Sequence, residues 1–309
     1  MKPYSGSLPA RISRALARAF GAVVHRDRRR AFVRELFYRV AARFTPGIVV
    51  ESEGLRYVMS TGDHGAGMTL FMGEDVDRGT LGAAIEGLER FGGGRPAGGT
   101  FVDVGANVGT TTVTALGAFG FERAHCFEPF PGNVDFLRTN LEYNGLGARA
   151  EVVEAALSDH AGTATFEISP KNPGDARVRP EGGAAGDLGE ESWPTTEVRI
   201  ATLDSFVEGG ELDPDSVTLL WIDAQGHEGQ ILAGAGKLLE RRVPTVIEFW
   251  PYALRRAGGF ELLSAIVAER FGSIVDLDDL EAGARPTADV AELERKYWGI
   301  AQTDLLLIP

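Results

Sequence analysis

Two places early in the chain carry the residue types that a nucleoside ligand needs. The run from Phe101 to Thr110 reads Phe-Val-Asp-Val-Gly-Ala-Asn-Val-Gly-Thr, with Gly105 and Gly109 where a chain can turn sharply and let a ligand approach its backbone. Glu128 lies 23 residues beyond Gly105, at the end of the next apolar run. A carboxylate there can accept hydrogen bonds from two adjacent ribose hydroxyls. The spacing predicts a nucleoside site, although a tight turn without a ligand would explain the glycines alone.

The same run disfavours two common nucleotide sites. Asn107 stands where the second glycine of the dinucleotide fingerprint belongs, which argues against a nicotinamide-dependent oxidoreductase. The chain has no Gly-Lys-Ser/Thr motif for a nucleoside triphosphate. Asp103, two positions before Gly105, would attract an ammonium group and repel a pyrophosphate. The expected ligand therefore combines a nucleoside with a positively charged end.

These residues need a parallel sheet to bring them together. After the turn-rich run 92–99, short apolar runs alternate with helical patterns, which predicts a doubly wound, seven-stranded, mostly parallel α/β sheet. The predicted strands are 100–104, 123–127, 150–155, 218–222, 245–249, 273–277 and 304–308. A hairpin is expected in residues 47–60, and a mobile surface loop in residues 169–196, where Gly and Pro are frequent.

Charge divides the chain into two parts. Residues 1–48 hold eleven Lys or Arg against two acidic residues, a net charge of +9, whereas residues 49–309 carry −22. A body this acidic would repel phosphates, so a nucleic-acid substrate is disfavoured. Two sets of apolar residues in the arm fall at helical spacing: Ile12, Leu16, Phe20 and Val23, then Phe32, Leu36 and Val40. The arm is expected to pack on the body, and docking on an anionic membrane or a partner protein is the alternative.

The organisation expected from these patterns has three regions. They are a basic amphipathic helical arm in 1–48, a hairpin and helix extension in 49–99, and the ligand-binding α/β domain in 100–309. The single cysteine, Cys126, allows no internal disulfide. No apolar run approaches the roughly 18 residues of a membrane span, and the N-terminus lacks the hydrophobic segment of a secretory signal. A cytoplasmic protein is therefore expected.

Five ordered motifs resemble the FkbM-type methyltransferases, which use S-adenosylmethionine. Besides the turn at 103–109, they are Phe127-Glu128-Pro129 with Asn140 and Asn144, Ala155-Ala156-Leu157-Ser158-Asp159, Thr202-Leu203-Asp204, and Trp221-Ile222-Asp223-Ala224-Gln225-Gly226-His227-Glu228. The resemblance covers residues 100–250 well and implies a class I, Rossmann-like methyltransferase domain. It also implies O-methyl transfer to a hydroxyl of a sugar, glycolipid or secondary metabolite, so the expected partner is a small-molecule or glycan acceptor.

The resemblance assigns roles to individual residues. The residues it places at the cofactor are Asp103, Gly105, Asn107 and Gly109 at the methionine part, Glu128 at the ribose, and Phe130, Ala156 and Leu157 at the adenine. Two positions depart from the family, namely Trp221, where Lys is common, and Gln225, where Glu is common. A neutral amide at position 225 cannot serve as a base or as a charged metal ligand. No metal is assigned.

Removal of the acceptor proton is the step that needs a catalytic side chain. Methyl transfer is an in-line displacement, so the protein must align the acceptor hydroxyl and take its proton. Asp223, at the end of the fourth strand, is expected to be the base or to orient it, with a helix N-cap or turn-forming residue as the alternative. His227 is a second candidate base, oriented by Asp223, although the sequence favours an exposed histidine without a role. Glu248, at the end of the fifth strand, is expected on the acceptor side.

A function from another class competes with the enzyme. The chain would then be a cofactor-binding pseudoenzyme or recruitment module that docks through its basic arm. Binding of S-adenosylhomocysteine is expected in both cases, whereas turnover of the cofactor with a hydroxyl acceptor is expected only of the enzyme.

Overall fold

The computed structural model describes residues 31–309 except residues 75, 93, 95, 97, 171, 181 and 184. The first helix predicted in the arm, in residues 12–23, lies outside the described residues. The strands are β1 (Gly47–Ser52), β2 (Leu55–Ser60), β3 (Thr100–Val104), β4 (Arg123–Phe127), β5 (Ala150–Val153), β6 (Ala156–Leu157), β7 (Gly162–Glu167), β8 (Arg177–Val178), β9 (Thr195–Ala201), β10 (Val217–Ile222), β11 (Thr245–Phe249), β12 (Ser273–Asp276), β13 (Arg285–Pro286) and β14 (Thr303–Ile308). The helices are α1 (Ala31–Ala41), α2 (Ala66–Met72), α3 (Arg78–Phe91), α4 (Thr110–Thr114), α5 (Pro131–Tyr143), α6 (Leu203–Glu208), α7 (Glu228–Ala233), α8 (Gly236–Leu239), α9 (Pro251–Arg256), α10 (Phe260–Arg270) and α11 (Val290–Lys296).

The main sheet has eight strands in the order β13-β12-β14-β11-β10-β3-β4-β5. The strands from β11 to β5 are parallel, and β14 pairs antiparallel with both β11 and β12. The doubly wound, mostly parallel fold expected from the sequence is confirmed, and the two-residue β13 adds an eighth strand at one edge. Strand order reverses between β3 and β10, and such a switch point leaves a crevice at the carboxyl ends of the strands.

Both faces of this sheet are covered. Alternate residues of a strand point to opposite faces, so Val102 and Val104 join one core while Phe101 joins the other. Helices α6, α7, α8 and α10 supply the first core, and helices α3, α4 and α5 supply the second. Cys126, the one cysteine of the chain, lies on β4 within the second core and is 0% exposed. Burial raises the pKa of its thiol.

The extension before the main sheet packs on the second core. Strands β1 and β2 form an antiparallel hairpin whose turn is Glu53-Gly54, with φ of 51° and 83°. Positive φ at both central positions is typical of a type I′ hairpin turn. Tyr57 and Met59 of this hairpin are buried in the second core, together with Leu81 and Leu88 of α3. The extension therefore covers one face of the sheet.

A second, four-stranded sheet lies between β5 and α6, in the order β6-β9-β7-β8. Its own small core consists of Ala156, Phe166, Val198 and Ile200. This sheet was not predicted from the sequence. Within residues 169–196, expected to form a surface loop, Arg177 and Glu190 are buried at 3% and 0% exposure.

Among the described residues, no helix combines the length and the apolar character needed to cross a membrane.

Candidate functional site

A cleft opens at the carboxyl ends of β3, β4 and β10, beside the switch point. It encloses about 60 Å³, and residues 174 and 176–178 form one of its walls. Seven of the eleven predicted site residues line it: Gly105, Asn107, Glu128, Ala156, Leu157, Asp223 and His227. Within the part of the chain that the structure describes, the lining does not include Asp103, Gly109, Phe130 or Glu248.

The turn after β3 leaves no room for a side chain at its first glycine. Gly105 has a φ of 84° and Asn107 a φ of 49°, both in the left-handed region. A Cβ at Gly105 would collide with the carbonyl oxygen of Asp223. The N–H groups of Gly105 and Ala106 donate to the carbonyl of Phe127 at 2.9 and 3.1 Å. The turn is held between β10 and β4, with its backbone against the cleft.

Asp103 and Gly109 both contact or adjoin α4, the helix that follows the turn. The Asp103 side chain is 1% exposed and accepts a hydrogen bond from the hydroxyl of Thr112 in α4. Strand alternation places Asp103 on the face of Phe101, whereas the cleft lies beyond the end of the strand. Burial raises the pKa of Asp103 to about 7. Gly109 precedes α4 with a φ of 86°, and a Cβ there would meet the side chain of Leu137. The expected contacts of both residues with the cofactor stay predictions.

Glu128 joins the end of β4 to the turn. Its Oε2 accepts a hydrogen bond from the N–H of Asn107 at 2.9 Å. Its Oε1 accepts from the N–H of Phe130 at 2.9 Å and from Nδ2 of Asn133 at 3.3 Å. Burial raises the pKa of Glu128 to about 7, against the opposite effect of these donors. A carboxylate offers about four acceptor positions, so a further donor such as a ribose hydroxyl can still be accepted.

Of the residues predicted at the adenine, two line the cleft and one does not. Ala156 and Leu157 line the cleft directly. Phe130 instead packs against the small core of the second sheet, which contains Ala156 and Phe166. Phe166 itself lines the cleft and was not foreseen from the sequence. Apolar side chains therefore line the cleft together with Glu128.

Four carboxyl groups lie on one face of the sheet near this edge. They are Asp103, Asp223, Glu248 and Asp304, which alternation places with Phe101, Trp221, Val246 and Leu306 of the second core. Glu248 pairs directly with Asp304 in the register of β11 and β14. Burial raises the pKa of Asp223 to about 6. Burial and the charge of Asp223 raise the pKa values of Glu248 and Asp304 well above their usual range.

Gln225 bridges two of these acids. Its amide Nε2 donates to Oδ1 of Asp223 at 2.8 Å and to Oε2 of Glu248 at 2.9 Å. Gln302 donates to Oε1 of Glu248 at 3.0 Å. Gln225 has a φ of 55°, a strained conformation for a residue with a side chain. The amide of Gln225 cannot act as a base or as a charged metal ligand. It is instead a hydrogen-bond donor to the carboxyl groups of both Asp223 and Glu248.

The ring of His227 has a different partner from the one expected. Its Nε2 lies 3.0 Å from the hydroxyl oxygen of Ser158, and no hydrogen bond to Asp223 is found among the described residues, so the expected orientation by Asp223 is corrected. His227 is itself the N-cap residue of α7, which removes the N-cap alternative for Asp223. The turn before it is closed by Glu228, whose Oε1 accepts from the N–H groups of Ala224 and Gly226. Burial lowers the pKa of His227 to about 4, so its ring is neutral at pH 7.

A larger groove of about 1390 Å³ adjoins the cleft. His227 and Val178 line both spaces, so they form the boundary between them. The groove also contains two aromatic side chains, Tyr252 and the 83% exposed Trp298. Its polar lining includes Asp159 and Glu294. A ligand in the cleft and a second molecule in the groove would therefore meet near His227.

Comparison with known proteins matches more than half of the chain to one protein family. Residues 103–274 match the family model described as the methyltransferase FkbM domain. The 2-O-methyltransferase NoeI of Sinorhizobium fredii (strain NBRC 101917 / NGR234) is 28% identical over 148 residues, which are 45% of this chain and 58% of that protein. The match thus spans less than two thirds of the relative's length.

Solved structures with a similar outline include methyltransferases. One is the methyltransferase FkbM from Methylobacillus flagellatus KT, 17% identical, covering 69% of this chain and 44% of that one, with a TM-score of 0.41. Another is the geranyl diphosphate C-methyltransferase from Streptomyces coelicolor A3(2), 14% identical, covering 74% of this chain and 78% of that one, with a TM-score of 0.38.

Proposed function

Because the chain belongs to the FkbM methyltransferase family, we propose that it is an S-adenosylmethionine-dependent O-methyltransferase acting on a hydroxyl of a sugar, glycolipid or secondary metabolite. The observation that carries the proposal is the convergence of the Gly105 turn, Glu128 and Asp223 on one cleft at the switch point. The name of the relative NoeI, a 2-O-methyltransferase, supports oxygen as the acceptor atom.

The residues of the cleft suit the parts of the cofactor. Glu128 would accept hydrogen bonds from the ribose hydroxyls, and the turn at Gly105 and Asn107 would receive the methionine part. Ala156 and Leu157 would cover the adenine.

S-adenosylmethionine supplies an electrophilic methyl group bonded to a sulfonium sulfur. The protein's part is to hold the acceptor hydroxyl in line with that bond and to take its proton. Asp223 lines the cleft, and with a pKa of about 6 it is ionised at pH 7 and able to accept the proton. Gln225 keeps Asp223 beside Glu248, so the proton can be shared by the two acids. His227, held by Ser158, would border the acceptor.

The groove supports a polyhydroxyl acceptor. Tyr252 and Trp298 offer aromatic faces to an apolar sugar face, while Asp159 and Glu294 can accept hydrogen bonds from hydroxyl groups. The acceptor would lie in the groove and extend one hydroxyl past His227 into the cleft.

Turnover with a labelled methyl group tests the proposal. The purified full chain is incubated with S-adenosylmethionine carrying a labelled methyl group and a pool of sugars, glycolipids and hydroxylated metabolites, and products are sought by mass spectrometry. We expect one product class heavier by the label, formed with S-adenosylhomocysteine, and strongly reduced formation by Asp223→Asn. The absence of S-adenosylhomocysteine binding in calorimetry would refute the cofactor assignment, and label found on carbon or nitrogen would refute O-methyl transfer.

A second candidate function, recruitment to an anionic membrane, is favoured by the surface of α1. Val33, Leu36 and Val40 are 42%, 51% and 41% exposed at helical spacing, and Phe44 beyond the helix is 83% exposed. The segment containing them, residues 1–48, has a net charge of +9, complementary to anionic lipid headgroups.

Vesicle sedimentation tests this second candidate. We expect the full chain to sediment with vesicles containing phosphatidylserine and not with pure phosphatidylcholine vesicles. The double variant Leu36→Ser and Phe44→Ser should lose this binding, whereas Ile300→Ser, which changes an exposed apolar residue elsewhere, should keep it. Equal behaviour of all three proteins would exclude membrane docking through α1, and binding without methyl transfer would favour a recruitment module over an enzyme.

A further inference from the structure

A buried ion cluster lies beside the cleft and has no role in the mechanism described so far. Its centre is Arg177 on β8, whose side chain is 2% exposed. The Nε of Arg177 lies 3.2 Å from Oε1 of Glu167, and its Nη2 lies 2.8 Å from Oε1 of Glu190. Both glutamate side chains are 0% exposed. Three charges are thus buried together, which is costly unless each is well paired.

The cluster contains two further arginines. Glu167 also binds Arg179 at 3.1 Å and Arg256 at 3.0 Å. Three guanidinium groups therefore surround Glu167. Asp175 is a further acid whose charge acts on Arg177.

Two buried donors in this cluster have no acceptor within the described residues. One is Nη1 of Arg177 and the other is Nε1 of Trp250. The two side chains are in contact, since the Arg177 guanidinium lies 5.1 Å from the centre of the Trp250 ring. An unsatisfied buried donor is costly, and more so when it is charged. The unsatisfied Nη1 of Arg177, a charged donor on a residue that lines the cleft, therefore indicates a place for an anionic oxygen.

Arg177 also lines the cleft itself. So does Gly174, three residues earlier, whose position lies close to the side-chain amide of Asn107. The wall formed by residues 174–178 therefore approaches the turn at which the methionine part of the cofactor is proposed to lie. An acid group at that end of the ligand would be near Arg177.

We propose that Arg177 binds an anionic oxygen group of a ligand in the cleft, a role that rests on the proposed function. The two sources of such a group are the α-carboxylate of the cofactor and an acid group of the methyl acceptor. The position of the wall beside Asn107 favours the cofactor carboxylate. Glu167 and Glu190, which accept hydrogen bonds from Arg177, would then fix the guanidinium before the ligand arrives.

Deleting the carboxylate from the ligand tests the proposal without a mutation. Calorimetry compares the affinity of the wild-type chain for S-adenosylhomocysteine and for its decarboxylated analogue. We expect the analogue to bind at least about tenfold more weakly, since hydrogen bonds to charged groups contribute about 1.5–3 kcal/mol. In Arg177→Gln the two ligands should bind with similar affinity, because the partner of the carboxylate is gone.

The control removes a cation from the same cluster but not from the cleft. Arg179→Gln loses the ion pair with Glu167, and Arg179 does not line the cleft in the described residues. We expect it to keep the difference between the two ligands. Should Arg177→Gln fail to give a cooperative thermal unfolding transition, Arg177→Lys, which keeps the charge and loses the planar guanidinium, should show a reduced difference.

A further titration separates the two sources of the anion. Acetate and inorganic phosphate are titrated into the wild type and Arg177→Gln, each saturated with S-adenosylhomocysteine. Anion binding that persists in the saturated wild type and is lost in Arg177→Gln would assign Arg177 to the acceptor. If the wild type binds both nucleoside ligands equally and Arg177→Gln changes neither titration, the proposal is wrong, although the proposed function stands. If the wild type binds neither nucleoside ligand, the proposed function itself fails.

Discussion

Glu128 both holds the turn after β3 and lines the cleft. Its carboxylate accepts hydrogen bonds from the backbone of Asn107 and Phe130 and also lines the cleft. We expect Glu128→Gln to weaken S-adenosylhomocysteine binding by about tenfold or more, because a charged acceptor is replaced by a neutral amide. Calorimetry measures the affinity. Asp135→Asn, an exposed acid on the neighbouring helix α5, is the control and should bind normally. Unchanged affinity in Glu128→Gln would remove the ribose assignment.

The hydrogen bonds from Gln225 to Asp223 and Glu248 allow us to predict how activity depends on pH. Asp223, the proposed base, can accept a proton only when it is ionised, and its pKa is about 6. The kcat/KM value should therefore fall as the pH drops through about 6, in a limb that belongs to the Asp223 and Glu248 pair. The Gln225 hydrogen bond lowers the pKa of Asp223. Gln225→Ala should consequently move this limb to higher pH.

A matched variant separates the two candidate bases. Ser158→Ala removes the hydrogen-bond partner of His227 and leaves Gln225 and Asp223 intact. We expect its pH profile to keep the position of the acid limb. A limb that moves in Ser158→Ala and stays fixed in Gln225→Ala would instead identify His227 as the base.

The sequence was enough to place single residues in the fold where one strand end determined their position. Gly105, Glu128 and Asp223 follow buried runs, and the structure brings them to one cleft. Asp304 was missed because it lies beside Glu248 only through the antiparallel pairing of β14 with β11. That pairing joins parts of the chain that are distant in the sequence. Arg177 was missed because its polar neighbours are paired only in three dimensions. No spacing in the sequence marks either one.

At the scale of elements, the turn after β3 depends on the absence of a side chain. Gly105→Ala should destabilise the protein through both a positive φ and a collision with the Asp223 carbonyl. Gly145→Ala is the control, because Gly145 has a φ of 70° and no atom lies within 4 Å of the position that a Cβ would take there. We expect about 1–2 kcal/mol for Gly145→Ala and a further 1–3 kcal/mol for Gly105→Ala. Urea unfolding measures both. Equal costs would show that the collision is relieved by small shifts.

The strands of the main sheet were predicted almost to the residue, whereas the second sheet was not predicted at all. Strands of the main sheet are buried on both faces and appear as continuous apolar runs. In β7 the burial runs from exposed to buried along the strand, and β6 and β8 have only two residues each. Such elements carry no clear period. Their position depends on pairing with β9 and on the buried ions of residues 167–190.

At the scale of the whole molecule, buried acids determine how stability depends on pH. Burial raises the pKa values of Asp103, Glu128 and Glu228 to about 7 and that of Asp223 to about 6, and those of Glu248 and Asp304 are raised well above normal. In the unfolded chain these groups titrate near 4. The folded protein therefore holds more protons between those values, so stability falls as the pH rises. We expect the melting temperature to be at least about 4 °C higher at pH 5.5 than at pH 8.

Two histidines act in the opposite direction. Burial lowers the pKa values of His227 and His125, so their contribution is lost as the pH falls below about 6.5. Six acids outnumber them, which leaves the net direction unchanged. Asp304→Asn removes one buried acid and should raise the melting temperature at pH 8 and reduce the difference between the two pH values. A wild-type melting temperature that increases from pH 5.5 to pH 8 would contradict this account.

The single cysteine of the chain, Cys126, can report on opening of the main sheet. It lies near the end of β4, between β3 and β5, and is buried in the second core, to which the hairpin extension also contributes. An alkylating reagent can reach the sulfur only while that core is open, so the speed of labelling measures how often the sheet comes apart. Ligands that close the molecule can then be ranked by how far they slow the reaction, without any attached dye.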